Sequence, residues 1–340
     1  MAIDGFGDVD TRSLAAGWAG ARLTTTGFGR RSVLKATDRL DPDRRCRVIY
    51  GSGLESKPEL IARLGRDRRL AGNDPVTVAE VKSPRRLAER LQRLGIPHPA
   101  IRPDCPESGH WLYKKPAGSG GGGVRWPTGD DRGGYYQQYH AGQVIGLTVL
   151  ADGRRGQIVG SARQWCETGF ADRPFLYGGS MTLQSIDLPL YGELAAASRA
   201  LVADTGLRGL CSIDFIVDRH QWWLLEVNPR PGASFVLHEQ GSSAVNWHLA
   251  ALEGRFPDGI GRNRGYRGQR IVYAATACRV PSSDHWPYWV SDRPQPGTVI
   301  RPGQPVCTVH AAAPTEQLAG HRLNDCYSIM QRRIELWPTP

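Results

Sequence analysis

The stretch Leu224-Leu225-Glu226-Val227-Asn228-Pro229-Arg230-Pro231-Gly232 decides the fold. Side chains alternate along a strand, so Glu226 and Asn228 share one face while the apolar residues beside them share the other. A carboxylate and an amide oxygen on one face suit a hard cation such as Mg²⁺. The two prolines stiffen the exit of the strand and would hold Arg230 beside that cation. The stretch therefore predicts a strand that ends in a metal site.

A second acidic residue lies on the preceding predicted strand. Asp214 stands inside the apolar run 211–217, where a carboxylate is costly to bury unless it is paired or bound to metal. Opposite residues of an antiparallel hairpin share a face, and a three-residue loop centred on His220 would set Asp214 opposite Glu226. A four-residue loop would set it opposite Leu225, on the wrong face. The metal interpretation thus requires an odd loop or a bulge; the alternative is a half-exposed hairpin whose acids meet water.

A glycine-rich segment, 118–123, follows a third predicted strand, which carries Lys114 and Lys115. Glycines expose backbone N–H groups and allow phosphate oxygens to approach closely. The segment is not a dinucleotide fingerprint, because no helix follows it, and it lacks the Gly-Lys-Ser/Thr of a P-loop. A flexible linker is the alternative. Only one of the two adjacent lysines can face a ligand, and the sequence analysis favours Lys115, next to Pro116.

Composition narrows the class of protein. The chain has 340 residues, of which 40% are hydrophobic and 22% charged, which excludes a disordered or fibrous chain. No stretch approaches the roughly 18 apolar residues of a membrane helix, and the N-terminus lacks an apolar signal core. Seven scattered cysteines without a C-x-x-C pair favour reduced thiols. We therefore expect a cytoplasmic protein that does not insert into membranes.

The net charge of +10 raises the question of nucleic-acid binding. The basic residues are spread along the chain rather than gathered in a stripe, and only five of the 43 are lysine. Polynucleotide binding is therefore disfavoured, and the positive charge is better explained by attraction of small anionic substrates.

Local patterns divide the chain into three predicted domains: an α/β domain over 1–80, a central domain over 81–262 with the glycine-rich part at about 98–140, and a small β-rich element over 263–340. The clearest helix covers Ser83–Leu94, with Pro84 at its first position and Lys82 at its start. The N-terminal domain is expected to contain the following elements: a strand at Met1–Asp4, a helix at Arg12–Trp18, a strand at Cys46–Tyr50 and a helix at Pro58–Leu64.

Three features in this order resemble the ATP-grasp enzymes over about residues 82–254. They are a lysine before a helix that ends in Gly95-Ile96-Pro97, a lysine before a glycine-rich loop, and an acidic strand pair that ends in Glu-Val-Asn-Pro-Arg. The resemblance implies an α/β (α+β) fold class: an ATP-grasp fold with an N-terminal pre-ATP-grasp domain and a small C-terminal β-rich element.

The resemblance also implies roles for individual residues. ATP phosphates would bind Lys82 and Lys115 under a lid formed by the glycine-rich segment. Mg²⁺, or Mn²⁺ in its place, would be held by Asp214, Glu226 and Asn228, and Arg230 would contact the transferred phosphoryl group. The remaining nucleotide-binding candidates are Gly118, Ser119, Gly120, Gly121, and the hinge residues Gln137, Gln138, Tyr139 and His140, which would present backbone groups to adenine.

The implied activity is an ATP-dependent ligase that activates a carboxylate as an acyl phosphate and joins it to an amine. The sequence also resembles a subgroup of these enzymes that is linked to the biosynthesis of methanofuran- or tetrahydromethanopterin-type coenzymes. This resemblance implies that glutamate would be ligated. A small-molecule kinase and a non-catalytic nucleotide or RNA binder are the alternatives. The expected partners are a small carboxylate and a small amine, and a homo-oligomer is compatible with the sequence.

Two positions depart from the family pattern. Val144 stands where many relatives have a ribose-binding glutamate, and Ser212 stands where some have an arginine. Ribose contact must then come from elsewhere, and Arg230 is left as the main cation for the reacting group. The segment Arg163-Gln164-Trp165 is a further candidate for contact with the acceptor.

Overall fold

The computed structural model describes residues 1–24, 27–116, 118, 120–184, 188–219, 221–239, 243–258, 260, 265–282 and 285–340. The strands are β1 (Ala2–Asp4), β2 (Trp18–Gly20), β3 (Leu23–Thr24), β4 (Gly27–Phe28), β5 (Ile101–Arg102), β6 (Trp111–Lys114), β7 (Val124–Arg125), β8 (Tyr135–Gln138), β9 (Gln143–Asp152), β10 (Gly156–Cys166), β11 (Tyr177–Leu183), β12 (Arg208–Asp218), β13 (Gln221–Asn228), β14 (Tyr266–Tyr273), β15 (Cys278–Arg279), β16 (Val290–Ser291), β17 (Val299–Ile300) and β18 (Pro305–Ala313). The helices are α1 (Val9–Leu14), α2 (Arg30–Leu40), α3 (Pro58–Asp67), α4 (Pro75–Lys82), α5 (Pro84–Arg93), α6 (Leu188–Thr205), α7 (Ala244–Leu252) and α8 (Glu316–Glu335), with a 3₁₀ helix at Phe235–His238.

The chain divides into two compact units. One consists of residues 1–44, 178–181 and 264–340, and the other of residues 45–177 and 182–263. The three-domain division expected from the sequence stays a prediction. Within the described part of the chain, no helix has both the length and the apolar character needed to cross a bilayer.

Four antiparallel strands form the centre of the second unit, in the order β13-β12-β9-β10. One face of these strands, which includes Ile213 and Phe215 of β12, packs against leucines of α5 and α6. The opposite face packs against α7 through Leu210 and Trp247. Helices on both faces explain why these strands are so apolar, because each strand buries two sides instead of one.

The hairpin of β12 and β13 brings the two acids into register by a bulge. Asp218 pairs with Gln221, so the connection has two residues and is not the three-residue loop that was one of the two ways to reach this register; His220 itself lies outside the described residues. The register shifts between Asp214 and Phe215, and this shift sets Asp214 opposite Glu226. The predicted pairing of the acids is confirmed, and it is produced by a bulge rather than by an odd-numbered loop.

The other elements of the second unit carry the glycine-rich segment and Lys82. Strands β5, β8, β6 and β7 form a small antiparallel sheet, and the glycine-rich segment connects β6 to β7. Lys82 is the last residue of α4 rather than the start of the helix that follows, which corrects the prediction. Pro84 begins α5, and a proline restricts the residue before it to extended backbone, so Ser83 separates the two helices.

In the first unit, residues 179–181 of β11 pair with β14, which continues to β18 and β16. The predicted β-rich tail also contains α8, a 20-residue helix that the sequence analysis missed. Thr315 caps this helix by accepting a hydrogen bond from the Leu318 N–H. Its buried residues have helical spacing: Ala319, Leu323, Tyr327, Met330 and Ile334.

Two predicted N-terminal elements differ from the structure. The helix expected at Arg12–Trp18 is α1, which ends at Leu14, because Trp18 pairs with Ala2 in a parallel ladder and donates its indole N–H to Asp4 Oδ2 at 2.9 Å. The strand expected at Cys46–Tyr50 is reduced to a single bridge between Val48 and Leu70.

Candidate active site

A cluster of polar side chains lies where three neighbouring strands of the second unit run side by side. Asp214 on β12 is paired with Glu226 on β13 and with Gly146 on β9. A Cβ atom at position 146 would lie 2.3 Å from Gln164 Nε2 and 2.9 Å from Asp214 Oδ1. The glycine therefore leaves the space in which the Asp214 and Gln164 side chains meet.

Hydrogen bonds join all three candidate metal ligands. Asp214 Oδ1 accepts from Gln164 Nε2 at 2.9 Å and from Ser212 Oγ at 3.1 Å. The Asn228 amide donates to Asp214 Oδ2 at 3.2 Å and to Glu226 Oε1 at 3.0 Å. The structure thus brings Asp214, Glu226 and Asn228 together, as the sequence analysis expected, and adds Gln164 as a direct partner of the aspartate.

The two neighbouring carboxyl groups have pKa values shifted in opposite directions. Burial and the neighbouring charge of Glu226 raise the pKa of Asp214 to about 7. Burial acts in the same direction on Glu226, but the ammonium groups of Lys82 and Lys114 lower the pKa of that carboxyl to about 2. Two acids held this close repel each other, and a cation between them would relieve the repulsion.

Two lysines reach this acidic pair from outside the strands that carry it. Lys82 Nζ donates to Asn228 Oδ1 at 3.2 Å and to the Val227 carbonyl at 3.4 Å. Lys114 Nζ donates to Gln137 Oε1 at 2.8 Å. Burial lowers the pKa of Lys114, and the charge of Glu226 acts against that change. Both ammonium groups are therefore positioned to face an anionic ligand of the cluster.

Both adjacent lysines line the cavity, but the structure places Lys114, rather than the Lys115 favoured from the sequence, next to the acidic pair. Lys114 shares a strand face with Leu112, and both line the cleft, while Tyr113 points to the other side and packs against Tyr136. Lys115 follows the end of β6 and is exposed at the edge of the cleft. Alternation along the strand places Lys114 in the polar cluster, and a phosphate-binding role for Lys115 stays a prediction.

Arg230 is fixed by three partners of different kinds. Its Nε donates to Glu55 Oε1 at 2.8 Å, its Nη1 to the Pro231 carbonyl at 2.9 Å, and its Nη2 lies 3.5 Å from Asn228 Oδ1. The sequence analysis missed Glu55, which stands 175 positions earlier in the chain. Nothing local to Glu55 signals that contact.

The acidic pair, Asn228, the two lysines and Arg230 line one cavity of about 670 Å³, which is a usual size for a small-molecule site. Ser119, the remaining predicted site residue, lies outside the described residues. The predicted site residues that line the cavity are Lys82, Lys115, Gly118, Gly120, Gly121, Gln137, Gln138, Tyr139, His140, Asp214, Glu226, Asn228 and Arg230.

The glycine-rich segment is packed against a neighbouring stretch of backbone. The Tyr177 N–H donates to the Gly120 carbonyl at 2.9 Å. Gly121 has a φ of +73°, and a Cβ there would lie 1.7 Å from the Phe175 carbonyl oxygen. The close approach requires glycine at position 121, because both the backbone conformation and the space exclude a side chain.

Residues 137–140, the hinge expected from the sequence, also line the cavity. The N–H groups of Gln138 and Tyr139 donate to the carbonyls of Ala100 and His110, both at 2.9 Å or less, so these two donors are already used within the protein. The His140 ring stacks on Trp223 at 3.9 Å between centroids. Burial lowers the pKa of His140, and its Nε2 is buried without a hydrogen-bond partner in the described part of the chain.

The donor set fits a hard divalent cation. Two carboxylates and one side-chain amide converge within hydrogen-bonding distance of one another, and such oxygen donors are preferred by Mg²⁺ over histidine and cysteine. Among the described residues, no three or more His, Cys, Asp or Glu side chains form a cluster by themselves, so the amide of Asn228 is needed to complete this donor set.

Comparisons with known proteins bear on the fold of the chain. Residues 81–234 match the family model of the ATP-grasp domain. None of the curated proteins compared with the chain is significantly similar to it in sequence.

Solved structures with a similar fold include three carboxylases. Rhizobium etli pyruvate carboxylase superposes with a TM-score of 0.75 at 15% identity, over 93% of this chain and 33% of that one. The biotin carboxylase domain of Hydrogenobacter thermophilus 2-oxoglutarate carboxylase, solved with MgADP, ADP and bicarbonate, gives 0.72 at 14% identity, over 95% and 83%. Campylobacter jejuni biotin carboxylase gives 0.72 at 13% identity, over 95% and 84%. The chain spans about a third of the length of the pyruvate carboxylase.

The match to an ATP-grasp domain covers residues 81–234 of this chain. The fold of the chain is the mixed α/β ATP-grasp fold with antiparallel central strands, in the form found in biotin carboxylases. The fold class predicted from the sequence is confirmed.

Proposed function

We propose that this protein is an ATP- and Mg²⁺-dependent ligase that activates a carboxylate substrate and joins it to an amine. One observation carries the proposal: Asp214, Glu226 and Asn228 form one hydrogen-bonded cluster, and Lys82, Lys114 and Arg230 face it within the same cavity. Phosphoryl transfer is achieved mainly by positioning and charge neutralisation, and these are the groups that supply both.

Each part of the cavity has a defined task in this reaction. A substrate carboxylate oxygen attacks the γ-phosphorus of ATP, the bond to ADP breaks, and an acyl phosphate forms. The amine then attacks the acyl carbon, phosphate leaves, and the nitrogen loses a proton. Mg²⁺ held by Asp214, Glu226 and Asn228 would neutralise phosphate charge. Lys82, Lys114 and Arg230 balance the remaining negative charge, and the glycine-rich segment excludes water from the acyl phosphate.

The comparisons support ATP and carboxylate use at a coarse level. The Hydrogenobacter structure is described as a complex with MgADP and bicarbonate, and the family model over residues 81–234 is that of an ATP-grasp domain. Within the class of ligases we propose glutamate as the first substrate to test, in the assembly of a one-carbon coenzyme of the methanofuran or tetrahydromethanopterin type; this narrower proposal rests on the sequence resemblance alone.

The test is ADP release measured across pairs of carboxylates and amines, with the substrate carboxylate labelled with ¹⁸O. We expect ADP release that requires both substrates, and ¹⁸O in the released phosphate. ADP release with the label retained in a phosphorylated product would replace the ligase proposal with a small-molecule kinase. Nucleotide binding without any turnover would indicate a non-catalytic binder.

Glu226→Gln should abolish this turnover. The change removes a carboxylate charge but keeps the shape of the side chain, and we expect ADP release to fall at least about 100-fold, the usual cost of losing one electrostatic contact to a transition state. The melting temperature should fall modestly, because the charge that compensates Lys82 and Lys114 is also removed. Glu253→Gln, in the exposed ion pair with Arg255, is the control and should retain full activity.

A further inference from the structure

Arg230 depends on a carboxylate that lies outside the part of the chain matched by the ATP-grasp model. Glu55 is 4% exposed and lies shortly before α3, at the start of the second unit. Its Oε1 accepts the Arg230 Nε–H at 2.8 Å, and the side chains of both residues are almost fully buried. Breaking a buried pair of this kind is strongly unfavourable, because the remaining charge is left uncompensated.

We propose that Glu55 is a positioning residue that orients the Arg230 guanidinium for the reaction; this rests on the proposed function. Glu55 Oε2 is buried and has no hydrogen-bond partner within the described residues, so Arg230 is the cation that compensates the Glu55 charge. With Nε held by Glu55 and Nη1 held by the Pro231 carbonyl, the guanidinium plane is fixed and Nη2 lies on the side of Asn228.

The backbone beside Arg230 is secured independently of Glu55. Asn73, 1% exposed, donates from Nδ2 to the Pro229 carbonyl at 2.9 Å and to the Arg208 carbonyl at 3.0 Å, and its Oδ1 accepts from the Arg208 N–H. The Tyr50 hydroxyl in turn donates to the Asn73 carbonyl at 2.6 Å. Removing the Glu55 charge should therefore release the Arg230 side chain while the chain path at Pro229 and Arg230 stays in place.

The first test separates orientation from binding. Glu55→Gln keeps the volume and one acceptor oxygen but removes the charge. We expect kcat to fall by about 10- to 100-fold, which is the cost of a small misplacement of a reacting group, while the KM for ATP changes by less than about 3-fold. The matched control is Asp204→Asn, an acid-to-amide change in a partly buried pair with Arg90 that lies outside the cavity and should leave kcat unchanged.

The second test uses chemical rescue. Free guanidinium ion added to Arg230→Ala should restore part of the lost kcat, because Glu55 still offers a site for it. The double variant Arg230→Ala with Glu55→Gln should show no such rescue. Equal rescue in both proteins would overturn the proposal.

The third test does not depend on the reaction. In the ¹⁵N-labelled apo protein, the Nε–H resonance of Arg230, assigned by its loss in Arg230→Lys, should be sharp and slow to exchange, and should shift and exchange rapidly in Glu55→Gln. An unchanged resonance, or a lost one with an unchanged kcat, would overturn the positioning role. A changed resonance in a protein that never releases ADP would instead contradict the proposed function and leave the Glu55–Arg230 anchor established.

Discussion

At the scale of single residues, the site requires a glycine at position 146. Gly146 lies between Asp214 on the neighbouring strand and Gln164, and a methyl group there would overlap both polar groups. Its open counterpart is Gly192 on α6, where an added Cβ would meet nothing within 4 Å. Substituting alanine at each of the two glycines therefore compares a crowded position at the site with an open position on a helix.

Gly146→Ala should fold but lose most of its ADP release, by about 10-fold or more, because Gln164 must move away from Asp214. Gly192→Ala should keep its activity and gain up to about 1 kcal/mol in the free energy of unfolding, since alanine is the better helix former. Urea unfolding and the ADP assay on both variants measure this. An equally active Gly146→Ala protein would show that the contact between Gln164 and Asp214 has no catalytic role.

Residue types at the site could be predicted from the sequence better than their orientations. The acids, the amide and Arg230 could be predicted because they lie in or next to an apolar strand pair, where a polar group is costly to bury unless it is paired or bound to a ligand. Which of Lys114 and Lys115 lies next to the acidic pair depends on the register of β6, and the strand pattern alone leaves a shift of one residue undetermined. The contact from Glu55 to Arg230 could not be predicted at all, because it joins residues 175 positions apart.

At the scale of elements, the glycine-rich segment contains a matched pair of positions. Gly120 and Gly121 both have positive φ, at +61° and +73°, but only a Cβ at Gly121 would meet the backbone, at the Phe175 carbonyl. The neighbouring hydrogen bond from Tyr177 to Gly120 holds the two stretches together. The segment is therefore seated against residues 175–177 through position 121.

Gly121→Ala should displace this segment and raise the KM for ATP by about 10-fold or more. It should also raise the share of ATP hydrolysed without product, because the acyl phosphate is less well protected from water. Gly120→Ala carries only the cost of its backbone conformation, roughly 1 kcal/mol, and should behave more like the wild type. The ratio of ADP released to amide formed measures the difference, and identical ratios in the two variants would contradict it.

Secondary structure followed the sequence where local signals agreed with tertiary contacts. Helix α5 begins at Pro84, as its N1 proline indicates, and β12 and β13 pair with the acids in register. The bulge that produces this register lies at Asp214 itself, whereas the sequence left open whether an odd loop or a bulge would bring the acids together. Helix α8 was missed although its capping threonine and its apolar spacing were visible, because the glycines and prolines before it dominated the interpretation of the tail.

At the scale of the whole molecule, one buried histidine makes the stability of the second unit depend on pH. His248 Nδ1 accepts from the Leu210 N–H at 2.9 Å, and its Nε2 lies 2.9 Å from the Ala71 carbonyl. The ring is seated on Gly209, where any Cβ would overlap it at 2.4 Å. Burial lowers the pKa of His248 below its ordinary 6.5, since a charged ring would be poorly solvated and would lose the bond from Leu210.

The sign of the pH effect follows from which state binds the proton. The unfolded chain takes up a proton at this histidine near pH 6.5, while the folded protein resists protonation to lower pH, so the free energy of unfolding falls as the pH falls below about 6.5. Urea unfolding at pH 7, 6 and 5 should show a steeper loss for the wild type than for His248→Gln. The exposed His285 provides the control, and His285→Gln should retain the wild-type slope. Parallel curves for all three proteins would contradict this role of His248.

The anchors at Glu55 and Asn73 have a consequence for anyone who trims or recombines this protein. The stretch matched by the family model begins at residue 81, so a fragment cut there would encode both lysines, both acids and the asparagine of the cluster while discarding the two residues that hold Pro229 and Arg230. Such a fragment would contain the side chains of the cluster but would lack the contacts that hold Pro229 and Arg230 in position. The shortest useful piece must start upstream of Tyr50, whose hydroxyl is bonded to Asn73.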